Sequence, residues 1–465
     1  MILPFGLLLA MIALAPLFFA AWWTRHYSKV VFGLAGLLVA YYLFGLRAGE
    51  RVAEVGCDYI RFIVLIGSLF VVSGGIHITV KGEATPLANV VFLLFGAILS
   101  NLLGTTGASM LLIRPWIRMN KYRVTGHHII FFIFIVSNVG GCLTPIGDPP
   151  LYLGYLKGIP FWWVTEHCWP IWAVGLGILL VMFYAVDYHN YRRAPQRVRE
   201  KLTEPPEQWR FGGLSNVLFL GVILGAAFID RPLFLRELIM AAAAIGSYFS
   251  TSKEVHASNH FDFQPITEVA ILFVGIFSTM MPALDWLQSN AAQLASPTPS
   301  LLYFGSGTLS GVLDNAPTYL SFLSALVGSV VDHGVISEVQ QLVRPDGGAM
   351  APLAGPHAEQ IRQTLLAAHK YYGSKLASGG LRPQEIEICF LLGNAAVSKF
   401  VLAISIGSVF FGANTYIGNG PNFMVKAIAD HQKVHTPTFL GYVGKYTVPF
   451  MLPMLFIVWW VFFRN

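Results

Sequence analysis

One segment of this chain occurs twice, at residues 137–150 and again at residues 408–421. The copies read SNVGGCLTPIGDPP and SVFFGANTYIGNGP, and Ser, Gly, Thr, Ile, Gly and Pro recur in register without a gap. Each copy lies inside a long apolar stretch, where Gly and Pro interrupt a helix that would otherwise cross a membrane. Irregular backbone at that depth must face protein or a water-filled cavity, because lipid cannot satisfy its polar groups. Duplicated, broken spans are typical of secondary transporters that bind their substrate at the breaks.

The composition is that of an integral membrane protein. Of the 465 residues, 55% are hydrophobic and 12% are charged, with a mean hydropathy of +0.61. A soluble domain carries about twice this charged fraction. The net charge of +6 lies mostly in loops, so it indicates topology and no nucleic acid partner. The four cysteines and 13 histidines show no ligand-like spacing, so we expect neither a disulfide framework nor a transition metal site.

The apolar segments predict an all-α polytopic fold of two inverted repeats, with about 10–11 spans of roughly 20 residues each plus two re-entrant hairpins. The first repeat is 1–194, with a hairpin at 88–113 and a broken helix at 127–160. The second repeat is 212–465, with a hairpin at 298–330 and a broken helix at 386–430. The simple spans are 2–23, 30–46, 60–80, 168–187, 212–229, 236–250, 265–288 and 437–463.

Two further segments complete the predicted organisation. Residues 195–211, which include three prolines, form the linker between the repeats. The polar stretch 331–385 is a small helical insertion in which we find no catalytic or ligand motif. The first apolar run lacks a positively charged start, so we keep it as a span and not as a cleaved signal peptide.

Basic residues in short loops set the predicted orientation. Loop 188–211 holds six of them, and loop 114–126 holds four and no acid. Both loops fall on one side only if segment 88–113 is a hairpin, and the positive-inside rule then places them in the cytoplasm. The N-terminus and the insertion are extracytoplasmic in this topology. Each half crosses the membrane an odd number of times, so the halves are inverted. We expect a bacterial inner membrane.

Two acidic residues are the sharpest candidates for function. Asp148 lies in the first break and Asp314 at the tip of the second hairpin, and acids at membrane depth are costly and usually functional. Each can hold a proton or a bound cation, and that competition is the physical basis of cation–proton exchange. Alternatively, each caps the helix that follows it. Lys399 is either a counter-ion for a carboxylate or a side chain that reaches the membrane surface.

The broken helices also offer uncharged ligands. Carbonyl and hydroxyl groups at a break suit Na⁺, and the N–H ends of half-helices suit anions. Glycine lets the backbone leave the helix. The candidate ligands and hinge positions at the two breaks are Ser137, Asn138, Gly141, Thr144, Gly147, Asn414, Thr415, Gly418 and Asn419.

The runs GGCLTPIGDPP at 140–150 and LDNAPT at 313–318 resemble motifs of the ion transporter superfamily. The nearest branches are the arsenite-efflux and NhaD-type sodium/proton antiporters and the CitMHS-like citrate transporters, and the resemblance covers nearly the whole chain outside the insertion. It implies a scaffold part and a transport part in each repeat, an elevator-like movement and a homodimer. It also implies sodium sites between each hairpin tip and the following break. Those sites would use Ser100, Asn101, Thr105, Thr106, Gly141 and Thr144 in one repeat, and Asp314, Asn315, Thr318, Asn414 and Thr415 in the other.

The chain departs from the carboxylate-transporting relatives at both tips. Those proteins carry Ser-Asn-Thr, whereas Leu102 follows Asn101 here and the second tip reads Asp314, Asn315, Ala316. A tip acid repels a carboxylate, which favours a sodium/proton antiporter over the alternative, a Na⁺- or H⁺-coupled citrate or carboxylate transporter. A membrane sensor that uses the insertion is a third possibility.

Nothing in the sequence indicates an enzyme. It lacks a Walker motif and any Ser/His/Asp or metal-ligand constellation, so an ion gradient must supply the energy. We expect no cofactor beyond the transported Na⁺ and H⁺. The expected partners are the lipid bilayer, a second copy of the chain and a small ion or carboxylate.

Overall fold

The computed structural model describes residues 3–79, 85–193, 210–229, 232–290, 297–343, 357–377 and 380–464. Its helices are α1 (Leu3–Phe18), α2 (Ala20–Ala40), α3 (Gly49–Gly74), α4 (Pro86–Met119), α5 (Gly126–Ile135), α6 (Pro149–Leu156), α7 (Phe161–Arg193), α8 (Asn216–Ala226), α9 (Leu235–Ser250), α10 (Lys253–Ser258), α11 (Gln264–Asn290), α12 (Pro299–Val312), α13 (Asn315–Val330), α14 (His333–Val343), α15 (Ala358–Ala377), α16 (Pro383–Gly393), α17 (Ala395–Phe411), α18 (Gly420–His431), α19 (Phe439–Tyr442) and α20 (Leu452–Phe462). The predicted all-α polytopic class is confirmed.

Fewer helices span a membrane by length and composition than the sequence predicts. Among the described residues eight helices are long and apolar enough to cross a membrane, or nine if the pair α13–α14, bent by 90°, counts as one span. One of the eight is α4, whose two ends contact each other. The predicted spans 2–23, 212–229 and 236–250 correspond to helices of 16, 11 and 16 residues. Each is shorter than the roughly 20 residues that cross the hydrocarbon core. The predicted count of 10–11 spans exceeds the eight or nine helices of full length among the described residues.

Helix α4 doubles back on itself. It turns at Gly104, whose φ of +73° lies in the region that favours glycine. The amides of Asn89 and Asn120, at opposite ends of the segment, exchange hydrogen bonds of 2.9 and 3.1 Å. The rings of Phe92 and Trp116 stack with centroids 5.4 Å apart. A straight helix would separate Asn89 from Asn120 by roughly 45 Å, so α4 is a hairpin that reaches beyond the predicted bounds 88–113.

The second hairpin consists of α12 and α13, which meet at Leu313 and Asp314. Its arms pack closely, because a Cβ placed on Gly305 would lie 3.0 Å from the ring of Phe322. Each arm has a side-chain cap: Thr298 accepts the N–H of Leu301 at 3.1 Å, and Asp314 caps α13.

Both broken helices lose α-helical structure at the duplicated motif. After α5 the chain runs through a 3₁₀ turn, Val139–Leu143, into α6. After α17 it runs through Gly412–Asn414 into α18. After His127 and His128, helix α5 is apolar on every face, and residues 127–135 are all buried, as a helix without a polar face requires. The first break therefore lies in the protein interior.

The duplication in sequence is also a duplication in contacts. The hydroxyl of Thr144 donates to the carbonyl of Asn101 at the first hairpin tip, 2.7 Å away. The hydroxyl of Thr415 donates to the carbonyl of Gly311 at the second tip, 2.8 Å away. Each hydroxyl also accepts the backbone N–H three residues further on, at 3.1 Å. The two threonines thus fasten each break to its own hairpin.

Most of the predicted linker, residues 195–209, lies outside the described residues. At its end strand β2 (Arg210–Gly212) pairs antiparallel with β1 (His77–Thr79), which follows α3. In the described part of the insertion lie α14, α15 and the start of α16.

Candidate functional site

The candidate site, called the polar centre below, is built around the carboxylate of Asp148, which is fully buried. It accepts hydrogen bonds from the hydroxyl of Thr105 at 2.8 Å, the amide of Asn315 at 2.8 Å and the amide of Asn419 at 3.2 Å. Asp148 precedes α6, but its side chain makes no capping bond. The interpretation of this residue as a helix cap is therefore wrong.

The donors to Asp148 come from both repeats. Thr105 belongs to the first hairpin tip, Asn315 to the second, and Asn419 to the second break. In the duplicated motif Asn419 is the counterpart of Asp148 itself, so equivalent positions of the two repeats touch. All three donors are neutral, and no ion pair with Asp148 occurs in the part of the chain that the structure describes.

A polar chain continues from the carboxylate through the two breaks. The amide of Asn419 also lies 3.1 Å from the carbonyl of Ser137 and 3.2 Å from the side-chain oxygen of Asn138. Asn138 in turn donates to the side chain of Asn422 at 2.7 Å. Asn422 was not predicted as a site residue, because it lies just after the duplicated motif and its counterpart in the first copy is the apolar Leu151.

Asp314 does cap a helix, as one of the two interpretations predicted. One carboxylate oxygen accepts the N–H of Ala316 at 3.1 Å, and the side chain is half-buried. Asp314, Asn419 and Thr106 line one wall of a cavity of about 100 Å³, whose other wall consists of apolar residues of α1, α3 and α11. The second acid therefore borders a small space beside the polar centre.

Three buried oxygens of the second repeat have no hydrogen-bond partner among the described residues. They are Asn315 Oδ1, Asn414 Oδ1 and Ser408 Oγ. A buried polar atom left unpaired costs about 1–3 kcal/mol, and hard cations are bound by oxygen ligands of this kind. The second hairpin tip and break can therefore offer oxygens to a small cation.

Glycine is required where each break folds onto itself. A Cβ on Gly147 would overlap the carbonyl oxygen of Gly141. A Cβ on Gly418 would lie 2.5 Å from the carbonyl oxygen of Gly412, closer than such atoms approach. These four glycines hold the irregular backbone in its closed loop.

Some predicted site residues bond elsewhere. Ser100 donates to Gly96 and Thr318 to the carbonyl of Asp314, both within one helical turn. The amide of Asn101 fastens the first tip to the break, donating to Gly140 at 2.8 Å.

Lys399 does not join the two acids. It lies in the second turn of α17, and the break follows the last residue of that helix. Twelve helical residues correspond to roughly 18 Å. The structure therefore gives no support to Lys399 as the counter-ion of either carboxylate.

A second buried polar cluster, around Asp187, was not predicted from the sequence. Asp187, which the sequence placed at a span end, is fully buried and ion-paired with Arg123. It accepts the amide of Asn89 at 2.8 Å, and the ring nitrogens of His128 and His127 lie 3.1 and 3.4 Å away. Arg123 already neutralises the carboxylate, so the cluster fastens the base of the first hairpin to α7 and is a poor cation site. The one feature of the sequence that pointed to this cluster is the adjacent pair His127 and His128 at the start of an apolar run.

Two hairpins and two broken helices that meet around a buried carboxylate define an integral membrane transporter. The chain belongs to the family described as "Putative citrate transport", which it matches over residues 1–463. This confirms the resemblance to the citrate transporter-like branch. An uncharacterized transporter of Mycobacterium tuberculosis, from strains CDC 1551 and H37Rv, is 25% identical over 327 residues, covering 65% of this chain and 76% of the relative.

Proposed function

We propose that this transporter exchanges Na⁺ or Li⁺ for H⁺, with Asp148 and Asp314 as the exchanging carboxylates. The observation that carries the proposal is the environment of Asp148: it is fully buried, and its three hydrogen-bond donors are neutral. An ionised carboxylate in such a place is expensive unless a positive charge compensates it. A proton or a small cation can supply that charge, and the two compete for one group.

The unpaired oxygens support a cation in the second repeat. Asn315 donates its amide to Asp148 and leaves its own oxygen unpartnered. A cation bound to that oxygen, to Asn414 and to Asp314 would gain ligands from a hairpin tip and from a break. It would thereby link cation binding to the geometry of the carboxylate at the centre.

The size of the cavity beside Asp314 favours a small ion. At about 100 Å³ it holds about three waters at ~30 Å³ each. Among the residues that the structure describes, its lining includes no basic side chain that could neutralise a tricarboxylate. We propose that the tips and breaks move together across the membrane, in a homodimer, as the family resemblance implies.

The test uses inside-out vesicles with a fluorescent probe of the pH gradient, to which NaCl, LiCl or KCl is added. We expect Na⁺ or Li⁺ to collapse the gradient, and Asp148→Asn or Asp314→Asn to abolish the response. The matched control is Asp262→Asn, since exposed Asp262 accepts the N–H of Gln264 at 3.2 Å, much as Asp314 accepts that of Ala316. Full exchange in Asp148→Asn or in Asp314→Asn would refute the role of that carboxylate.

The family match favours a second candidate, cation-coupled transport of citrate or a related carboxylate. In this function the N-termini of α6 and α18 would face the anion. The same vesicles decide between the two, because labelled citrate can be offered with a Na⁺ or H⁺ gradient. Citrate uptake without any effect of cations on the pH gradient would replace the first proposal by the second.

A further inference from the structure

A second cavity, of about 1090 Å³, shares no described lining residue with the cavity beside Asp314. One wall comes from α15, α16 and the start of α7, and the other from α3 and the chain between α8 and α9. In the predicted topology all these segments lie on the extracytoplasmic side. Five basic and three acidic side chains line the cavity, so its described lining carries an excess of positive charge.

Two guanidinium groups are held in place on one wall. Arg236 is 8% exposed, pairs with Glu237 at 2.9 Å and lies 5.9 Å from the ring centroid of Tyr155. Arg61 lies 5.9 Å from the ring centroid of Phe234, and one of its terminal nitrogens pairs with Asp58 at 3.4 Å. A planar guanidinium with remaining N–H donors suits the oxygens of a phosphate or carboxylate. Positioned in this way, the two groups can bind an anion with little loss of side-chain entropy.

The rim of the cavity is apolar and open. Trp162, Phe228 and Leu233 are 65%, 50% and 67% exposed. The rings of Trp162 and Phe228 stack with centroids 5.9 Å apart and planes 15° from parallel. Trp162 is at the start of the spanning helix α7, the level at which tryptophan sits at a membrane surface. A cationic cavity therefore adjoins an apolar shelf at the edge of the bilayer.

We propose that this cavity binds the headgroup of an anionic phospholipid, whose acyl chains lie on the shelf of Trp162, Phe228 and Leu233. A soluble polyanion would use the basic groups but would leave the apolar shelf exposed to water. An anionic lipid satisfies both surfaces, and a neutral phospholipid gains little from the excess charge. The site is independent of the exchange proposed at Asp148.

The lipid site lies close to the transport centre. Helix α6 starts directly after Asp148, and its C-terminal residues Tyr155 and Leu156 line the cavity. Its 8 residues correspond to about 12 Å. The hydroxyl of Tyr372, on α15, donates to the carbonyl of Gly158 just beyond α6. A bound lipid would therefore contact both the insertion and the segment that carries the central carboxylate.

The test is native mass spectrometry of the full chain in mild detergent, titrated with phosphatidylglycerol or phosphatidylcholine. We expect the protein to retain phosphatidylglycerol in preference to phosphatidylcholine. Arg61→Gln should weaken it about fivefold, the effect of about one basic residue near an anionic headgroup. The double variant Arg236→Gln with Glu237→Gln should weaken it similarly without leaving Glu237 unpaired. Lys121→Gln, on the loop of the predicted opposite side, is the matched control.

Two results would overturn the proposal. The first is equal retention of both lipids, or unchanged retention in Arg61→Gln and in the double variant while both keep the wild-type melting temperature. The second is calorimetric binding of citrate to delipidated protein that the same variants abolish, since this would assign the cavity to a soluble anion. Because neither readout involves transport, failure here leaves the exchange proposal untouched.

Discussion

At the scale of single residues, Gly104 makes the first hairpin possible. Its φ of +73° is costly for other residues, and an added Cβ would lie 3.3 Å from the carbonyl oxygen of Ile146. We expect Gly104→Ala to destabilise the protein by about 1–3 kcal/mol, measured by thermal unfolding in detergent. Gly33→Ala is the control, because it is helical with no atom within 4 Å and should stabilise by up to about 1 kcal/mol. Equal effects would contradict the strained turn.

The hydroxyl of Thr105 provides a second test at this scale. It donates to Asp148 at 2.8 Å, and a hydrogen bond to a charged group contributes about 1.5–3 kcal/mol. We expect Thr105→Val to slow Na⁺-dependent proton movement in vesicles at least about tenfold, and Thr105→Ser to restore it. Thr318→Val removes a hydroxyl whose hydrogen bond, among the described residues, goes to the carbonyl of Asp314 one turn before it, and it should leave the rate nearly unchanged. Equal losses in both valine variants would point to packing instead.

The sequence was a better guide to which residues belong to the site than to which residues they contact. The register of the duplication pointed to Asp148 and Asn419 as equivalent positions, and their side chains do touch, at 3.2 Å. The sequence did not show how deeply a side chain is buried or which neighbour it faces. Lys399 lies in the same apolar run as the break but one helix length away, and Asp187 looked terminal but is fully buried. The order of residues in the sequence gives the distance between two positions along a helix, but it does not show which other elements pack against that helix.

At the scale of elements, Glu385 fastens α16 to α15 and supplies a pH test. The residue is 1% exposed, and burial opposes its ionisation. The N–H of Arg382 and the charges of Arg382 and Lys375 outweigh burial and hold the pKa of Glu385 below its ordinary 4.5. A depressed pKa means that the stabilisation is present at neutral pH and is lost as the pH falls below 4.5 towards the folded value.

Hydrogen exchange of α15 measures this contribution. We expect wild-type α15 to be protected at pH 7 and to lose protection as the pH falls below 4.5. In Glu385→Gln protection should be lower at pH 7 and should change little on acidification. Glu359→Gln is the control, because that exposed acid pairs with Arg362 within α15 alone. An identical acid response in wild type and Glu385→Gln would contradict the role of the ion pairs.

Charged loops predicted the elements more accurately than the lengths of apolar runs did. The basic loop 114–126 predicted a hairpin before it, and α4 does double back. The length of an apolar run was a weaker guide. The run 2–23 is not one helix, because α1 ends at Phe18 and α2 begins at Ala20. Hydropathy does not detect a break between two helices that are both apolar.

At the scale of the whole molecule, a polar network joins the transport centre to the surrounding helices. Lys157, just after α6, bonds Asp58 of α3 at 2.8 Å and lies 3.5 Å from Glu54. Gln384 of α16 bonds Glu54 at 2.7 Å. Any movement of the tips and breaks relative to α3 must separate these groups. If the tips and breaks move as proposed, this network belongs to one conformation and opens during the transport cycle.

A reversible cross-link tests that consequence. Asp58→Cys with Lys157→Cys, in a background with Cys57→Ser, can be joined by a bismaleimide that contains a disulfide. We expect cross-linking to stop ion exchange in vesicles and reduction of the linker to restore it, because α3 and α6 are then free to separate. The control pair is Lys426→Cys with Asp430→Cys, which lie one turn apart on α18 and pair at 2.6 Å. A bridge within one helix constrains no movement between elements, so exchange should continue there. Unchanged exchange in fully cross-linked Asp58–Lys157 protein would show that α3 and α6 stay together throughout the cycle.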